Sequence, residues 1–170
     1  MLAYMLILLG FSLRFLPLDN NMAPIAAIAL FSGAYLDKKI VPWVPLVIMV
    51  IADLVIGMHE VVLFTWGAFV VIGFMGMLLK KKRTPLSIFL LTVGSSLFFF
   101  AISNFGVWLV WYPKTIAGLV NCYLMGLPFL RNTMVGNLVF SAVLFGSYEM
   151  AARTVGESRY RDILLVSTKG

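Results

Sequence analysis

The side chains able to bind or react are few in this 170-residue chain, and most of them are gathered between Ser103 and Asn137. That stretch, SNFGVWLVWYPKTIAGLVNCYLMGLPFLRNTMVGN, carries four asparagines (Asn104, Asn121, Asn132 and Asn137), the large rings Trp108, Trp111, Tyr112 and Tyr123, and Arg131. A second group, Asp53, His59 and Glu60, lies far upstream. One histidine cannot build the helical two-histidine zinc motif, and a lone loop histidine gives no serine-histidine-acid arrangement. Cys122 is the one cysteine, which excludes an intramolecular disulfide and any thiolate-only metal centre. No glycine-rich phosphate loop is present, and neither a metal nor a cofactor is expected. The chemistry these residue types favour is non-covalent: amides and an arginine to orient a small molecule, aromatic rings to stack on it.

The rest of the chain must place those groups, and it is mostly hydrocarbon. Hydrophobic residues make up 62% and charged residues 12%, with a mean hydropathy of +1.01, whereas a soluble domain carries about a quarter charged residues. The sequence therefore predicts an all-α integral membrane protein with one membrane domain over residues 1–150 and a basic tail over 151–170. The net charge of +6 sits at the ends of apolar runs rather than along one solvated face, so it reads as membrane topology and not as a nucleic-acid surface. Met1 to Leu13 lacks a basic leader and a small-residue cleavage site directly after the apolar run, and is expected to be a retained span.

Six transmembrane helices are expected. The first runs from Met1 to about Phe15, the second from Met22 to Leu36, the third from Ile40 to Met58 with Pro42 and Pro45 in its first turns, and the fourth from Val61 to Leu79. The fifth opens at Thr84 and Pro85 and runs to Trp108 or Val110. Gly118, Gly126 and Pro128 then predict a broken segment: Thr115–Leu124 as a short interfacial or re-entrant helix, a bend over Gly126–Asn132, and a last span from Asn132 to Met150. With both termini cytoplasmic, ten of the thirteen basic residues fall inside and Arg14, Lys114 and Arg131 outside.

That topology brings the polar loops to one outer face, and the expected substrate-binding residues are Asn21, His59, Asn104, Trp108, Tyr112, Tyr123, Arg131 and Asn132. Each has a plainer role open to it. The rings suit an interfacial aromatic belt, Arg131 suits snorkelling or pairing with Glu60 or Asp53, His59 suits an ordinary loop position, and Cys122 suits inert packing. Asp53, deep in an apolar span, must face the bundle or a wet cavity, as a structural hydrogen-bonding group or beside a ligand. The small residues Ala23, Ala27, Ala29 and Gly33 recur at the four-residue spacing that lets helices approach closely in lipid. They fit either packing inside the bundle or a docking face for a second membrane subunit.

Several motifs carry a family resemblance. Arg14, Leu16, Pro17 and Asn21; PIAAIALFSGAY over Pro24–Tyr35; LFFFAISNFGVW over Leu97–Trp108; YPKTIAGLVNCY over Tyr112–Tyr123; and GLPFLRNT over Gly126–Thr133 are similar to a bacterial family of transport-type membrane proteins of unknown function, DUF6580. That family more distantly resembles the S components of energy-coupling factor transporters. The S-component resemblance implies six helices in the bacterial inner membrane, capture of a vitamin-like nutrient from the extracytoplasmic side, and a transmembrane coupling subunit that docks on a small-residue stripe. In those S components the stripe lies on the first helix, whereas here it falls on the second. The reading from sequence is a non-enzymatic, S-component-like transport protein. The alternative is a non-transporting subunit or scaffold that binds another protein, and an intramembrane enzyme built on Asp53, His59 and Glu60 ranks third.

Overall fold

The computed structural model of the chain describes residues 1–13, 22 and 24–155. Among the described residues it is a helical bundle without strands: α1 (Leu2–Ser12), α2 (Ile25–Tyr35), α3 (Trp43–Ile56), α4 (Val62–Gly76, continued by a 3₁₀ turn over Met77–Lys80), α5 (Pro85–Trp111) and α6 (Ile116–Val155). Large apolar side chains cover its outside, with Leu63 and Ile116 77% and 83% exposed. A surface of that kind is stable only against lipid or another apolar partner.

Three segments, Val62–Lys80, Pro85–Trp111 and Ile116–Thr154, are long and apolar enough to cross a membrane. The expected count of six spans is not supported. Helices α1 and α2 have 11 residues each and α3 has 14, hence about 17 to 21 Å of rise against a hydrocarbon thickness of about 30 Å. The expected break after α5 is also corrected. Thr115–Leu124 is not a separate interfacial or re-entrant helix, because α6 runs unbroken for 40 residues through Gly126 and Pro128. The breakers have other uses. A Cβ at Gly126 would overlap the Asn104 side chain, and one at Gly118 would overlap the Pro113 carbonyl oxygen. Pro128 is exposed, and the bonds of the surrounding turns hold the helix through the one N–H it lacks.

Every residue of α2 is buried, so this short helix is the core around which the others pack. Its sequence allows that because it is small on the side facing α4. A Cβ at Gly33 would collide with the Gly73 carbonyl oxygen and the Gly76 backbone, and one at Gly76 would collide with the Leu30 carbonyl. The two backbones touch where side chains would normally keep them apart. On its other side Phe31 and Tyr35 meet Phe145 and Tyr148 of α6, with ring centroids 5.3 Å apart for Phe31–Phe145 and 3.9 Å for Tyr35–Tyr148. Ala27 and Ala29 are fully buried and Gly33 is buried too. These three residues pack within the bundle. Ala23 lies outside the described residues.

The loops sort to two ends. Lys80 Nζ donates to the Leu36 carbonyl at 2.6 Å, and the Arg83 guanidinium lies over the Tyr35 ring, 4.7 Å from its centroid. These contacts bring the α2–α3 and α4–α5 loops, with Lys38, Lys39 and Lys80 to Arg83, to the same end as the Arg153 turn of α6. Thr84 caps α5 there, accepting from Ser87 N at 3.2 Å with Pro85 in the first turn. The α3–α4 loop with His59 and the α5–α6 turn with Tyr112 share the walls of one cleft at the other end.

The α2–α4 contact makes a measurable demand. Gly33→Ala and Gly76→Ala, each forcing backbone apart, are expected to lower stability by about 2 kcal/mol or more. Gly67→Ala, where a Cβ meets nothing within 4 Å, is expected to be neutral or to add up to about 1 kcal/mol through helix propensity. Thermal melting of the detergent-purified protein, followed by monodisperse recovery on size exclusion, distinguishes them. Equal melting of all three variants would remove the close contact.

Candidate functional site

The chain ends α3 with a turn that folds His59 back over the helix it has just left. Gly57 has φ +123°, a conformation open to glycine and rarely to other residues, and its N–H donates to the Asp53 carbonyl at 2.9 Å. His59 Nε2 thereby comes to 3.8 Å from Asp53 Oδ2, outside hydrogen-bond reach but close enough for charge to be felt. The same Oδ2 accepts from Trp66 Nε1 of α4 at 2.8 Å. Asp53 is 3% exposed, so this indole hydrogen bond partly compensates for the loss of water around a carboxyl group at depth. His59 Nδ1 is buried and has no hydrogen-bond partner.

Asp53 and His59 stand in the wall of a cavity of about 230 Å³ lined by residues of α2 to α6. Ile25, Met49, Phe69 and Phe99 give it apolar surfaces, and Thr65, Thr133 and Asn137 add polar ones. Thr65 donates its hydroxyl to the Val62 carbonyl at 2.9 Å, which leaves its lone pairs for an incoming donor. Asn137 spends its amide N–H on Ser96 Oγ at 2.9 Å. His59, Thr65 and Phe99 also border a second, more open cleft of about 370 Å³ between α4, α5 and α6. Its walls include Ser103, Asn104, Trp111, Tyr112 and Cys122. The two neighbouring spaces thus share three wall residues, the first with mixed apolar and polar walls and the second with several aromatic ones.

Three of the expected site residues are brought together here: His59 borders both spaces, and Asn104 and Tyr112 line the cleft. Asn104 Nδ2 donates to the Phe100 carbonyl at 2.9 Å, which holds the side-chain amide against Gly126, and Cys122 Sγ donates to the Asn104 backbone carbonyl at 3.4 Å. The other expected residues stand elsewhere. Trp108 donates its indole N–H to the Pro113 carbonyl at 2.9 Å, and Lys114 Nζ lies 5.7 Å from its ring centroid. Lys114 also bonds the Trp108, Leu109 and Tyr112 carbonyls, so this pair closes the exposed C-terminal turn of α5. Tyr123 donates to the Ala101 carbonyl at 2.6 Å, joining α5 to α6. Arg131 is exposed and Asn132 half-buried, and neither borders the two spaces. Asn21 lies outside the described residues. Its depth in an apolar span marks Asp53 as facing the bundle or a cavity, though it is not among the expected binding residues, and neither are Thr65 and Thr133. A polar stripe at four-residue spacing, Thr133, Asn137 and Ser141, was the available signal for the α6 wall. Among the described residues no three His, Cys, Asp or Glu side chains converge as a metal site would require.

The Trp66–Asp53 bond can be tested apart from any ligand. Trp66→Phe is expected to cost about 1 to 3 kcal/mol, because it leaves a buried acceptor short of its donor. Adding Trp66→Phe to Asp53→Leu should cost less than it does alone, since the acceptor is already gone. Melting of the four proteins of the cycle checks this, and strict additivity would mean that the bond contributes nothing.

No curated protein and no solved structure matches the chain. The model of a family of unknown function, DUF6580, matches residues 1–160, and a cavity with a few polar wall residues inside a helical bundle with a lipid-suited exterior is thus a property of a member of that family: the chain belongs to DUF6580.

Proposed function

We propose that the protein captures a small molecule in the cavity and the neighbouring cleft and takes part in its movement across the membrane. The observation that carries this reading is Asp53. A carboxyl group 3% exposed, given one indole donor and set in the wall of a space large enough for several non-hydrogen atoms, is costly unless something in that space uses it. The two spaces together have the size at which small-ligand sites occur, with mostly apolar walls and a few oriented polar groups. The ligand class that suits them has a donor group, an amine, amide or hydroxyl, for Asp53 and an apolar or aromatic body for Phe69, Phe99 and Trp111.

In this reading the protein is S-component-like: six helices around a site near the extracytoplasmic face, both termini cytoplasmic, in a bacterial inner membrane. The basic end supports that orientation through the positive-inside rule. Release to the other side requires the helices around the site to part, alone or against a transmembrane coupling subunit. Such a subunit would engage an outer face of the bundle, since Gly33 is packed on α4 and Ala27 and Ala29 are buried.

Mass spectrometry of small molecules extracted from the purified full chain tests the proposal. The wild type is expected to retain a compound whose occupancy falls about tenfold or more in Asp53→Asn, the loss of a charge-assisted hydrogen bond, and falls in Thr133→Val. Arg131→Gln, off the walls, should retain it as the wild type does. A compound held equally by Asp53→Asn and wild type, or none held by either, would remove the binding site from this cavity.

A further inference from the structure

At the basic end a groove of about 420 Å³ opens between α5 and α6. Its sides are apolar, formed by Ile88, Phe89, Leu138 and Phe145, and its mouth carries Arg83, Arg153 and Glu149. Thr92 and Ser141, 0% and 2% exposed, form the floor and hydrogen-bond to each other at 3.1 Å. Phe89, Ala142 and Gly146 of the lining are exposed, so the groove opens sideways onto the apolar outer face of the bundle and not only at its end.

The charges at the mouth are unbalanced. Glu149 Oε1 accepts from the Tyr35 hydroxyl at 2.7 Å, and Arg83 is held over the same Tyr35 ring. Among the described residues no arginine pairs with a carboxylate within 4.0 Å. The loops around the mouth add Lys38, Lys39, Lys80, Lys81 and Lys82 against Asp37, so among the described residues seven basic side chains stand against two acidic ones at this end.

We infer that this groove is a binding site for an anionic phospholipid, its phosphate between Arg83 and Arg153 and an acyl chain lying along Phe89, Leu138 and Phe145. Charge and shape select that occupant together. A soluble anion would satisfy the arginines but leave the apolar sides and the lateral opening unused. A zwitterionic lipid would fill the groove but bring a cation to a mouth already rich in them. The groove shares no lining residue with the cavity around Asp53, so the inference stands apart from the proposed transport function.

Native mass spectrometry of the full chain tests it, with phosphatidylglycerol and phosphatidylcholine of identical acyl chains added in equal amounts. Wild type should retain phosphatidylglycerol preferentially, and the preference should fall about fivefold for each of Arg83→Gln and Arg153→Gln. Ala142→Trp, which fills the groove and leaves every charge in place, should abolish retention; Gly146→Leu does the same from a position where a Cβ meets nothing within 4 Å. Melting temperatures near that of the wild type establish that the variants are folded. Millimolar inorganic phosphate should leave the bound lipid in place. Equal retention of the two lipids, retention unchanged in both arginine variants or in both groove-filling variants, or displacement by inorganic phosphate would each overturn the assignment.

Discussion

The bundle depends on burying a helix too short to reach across a membrane. An 11-residue helix leaves about eight of its backbone groups, N–H at one end and C=O at the other, without an intrahelical partner, and hydrocarbon satisfies none of them. It must be wrapped by protein. Apolar side chains are no better off against each other than against lipid tails, so what holds such a helix is close contact and complementary shape. The Gly33, Gly73 and Gly76 approach supplies that contact with α4, and the Lys80 ammonium satisfies the Leu36 carbonyl just past the helix end. The same shortness accounts for the cavity. Ile25 and Ala26, the first residues of α2, line it, and the longer α5 and α6 continue past the point where α2 begins.

Helices α5 and α6 are held by hydrogen bonds spaced along their length. Thr92 with Ser141 and Ser96 with Asn137 bridge them in the middle, and Cys122 and Tyr123 bond the Asn104 and Ala101 carbonyls nearer the turn. Each such bond contributes on average about 0.6 kcal/mol in a membrane protein, so together they fix the register of the hairpin more than they stabilise it. That register sets which side chains meet the cavity. Asn137 does both, donating to Ser96 while forming part of the wall.

The sequence made several of these features legible because their signals are local. Basic clusters end apolar runs, Thr84 and Pro85 start a helix, and loops that carry His59 and Tyr112 fall at one end by alternation of the chain. Gly118, Gly126 and Pro128 misled for a physical reason. In water a glycine-proline cluster argues for a break, whereas within a membrane bundle glycine is also the residue that admits a neighbouring side chain, here Asn104. The expectation of a short re-entrant helix weighed the first meaning and not the second. Trp108, Tyr123 and Arg131 were grouped with the site by nearness in sequence, but successive helical residues point about 100° apart, and only some of that stretch turns toward α4. Thr65 was silent because a threonine in an apolar helix can satisfy its hydroxyl on its own backbone, as Thr65 does.

The cavity and the basic-end groove meet the same polar layer from opposite ends. Asn137 borders the cavity, while Thr92 and Ser141 border the groove. Asn137 and Ser141 are four residues apart on one face of α6, about 6 Å along its axis. Ser96, the partner of Asn137, donates in turn to the Thr92 carbonyl at 2.9 Å, which ties the two pairs into one network. A layer of leucine at this depth would seal the bundle by packing alone. Hydroxyls and an amide seal it instead by hydrogen bonds to one another, which join the two helices while leaving no polar group of the layer exposed.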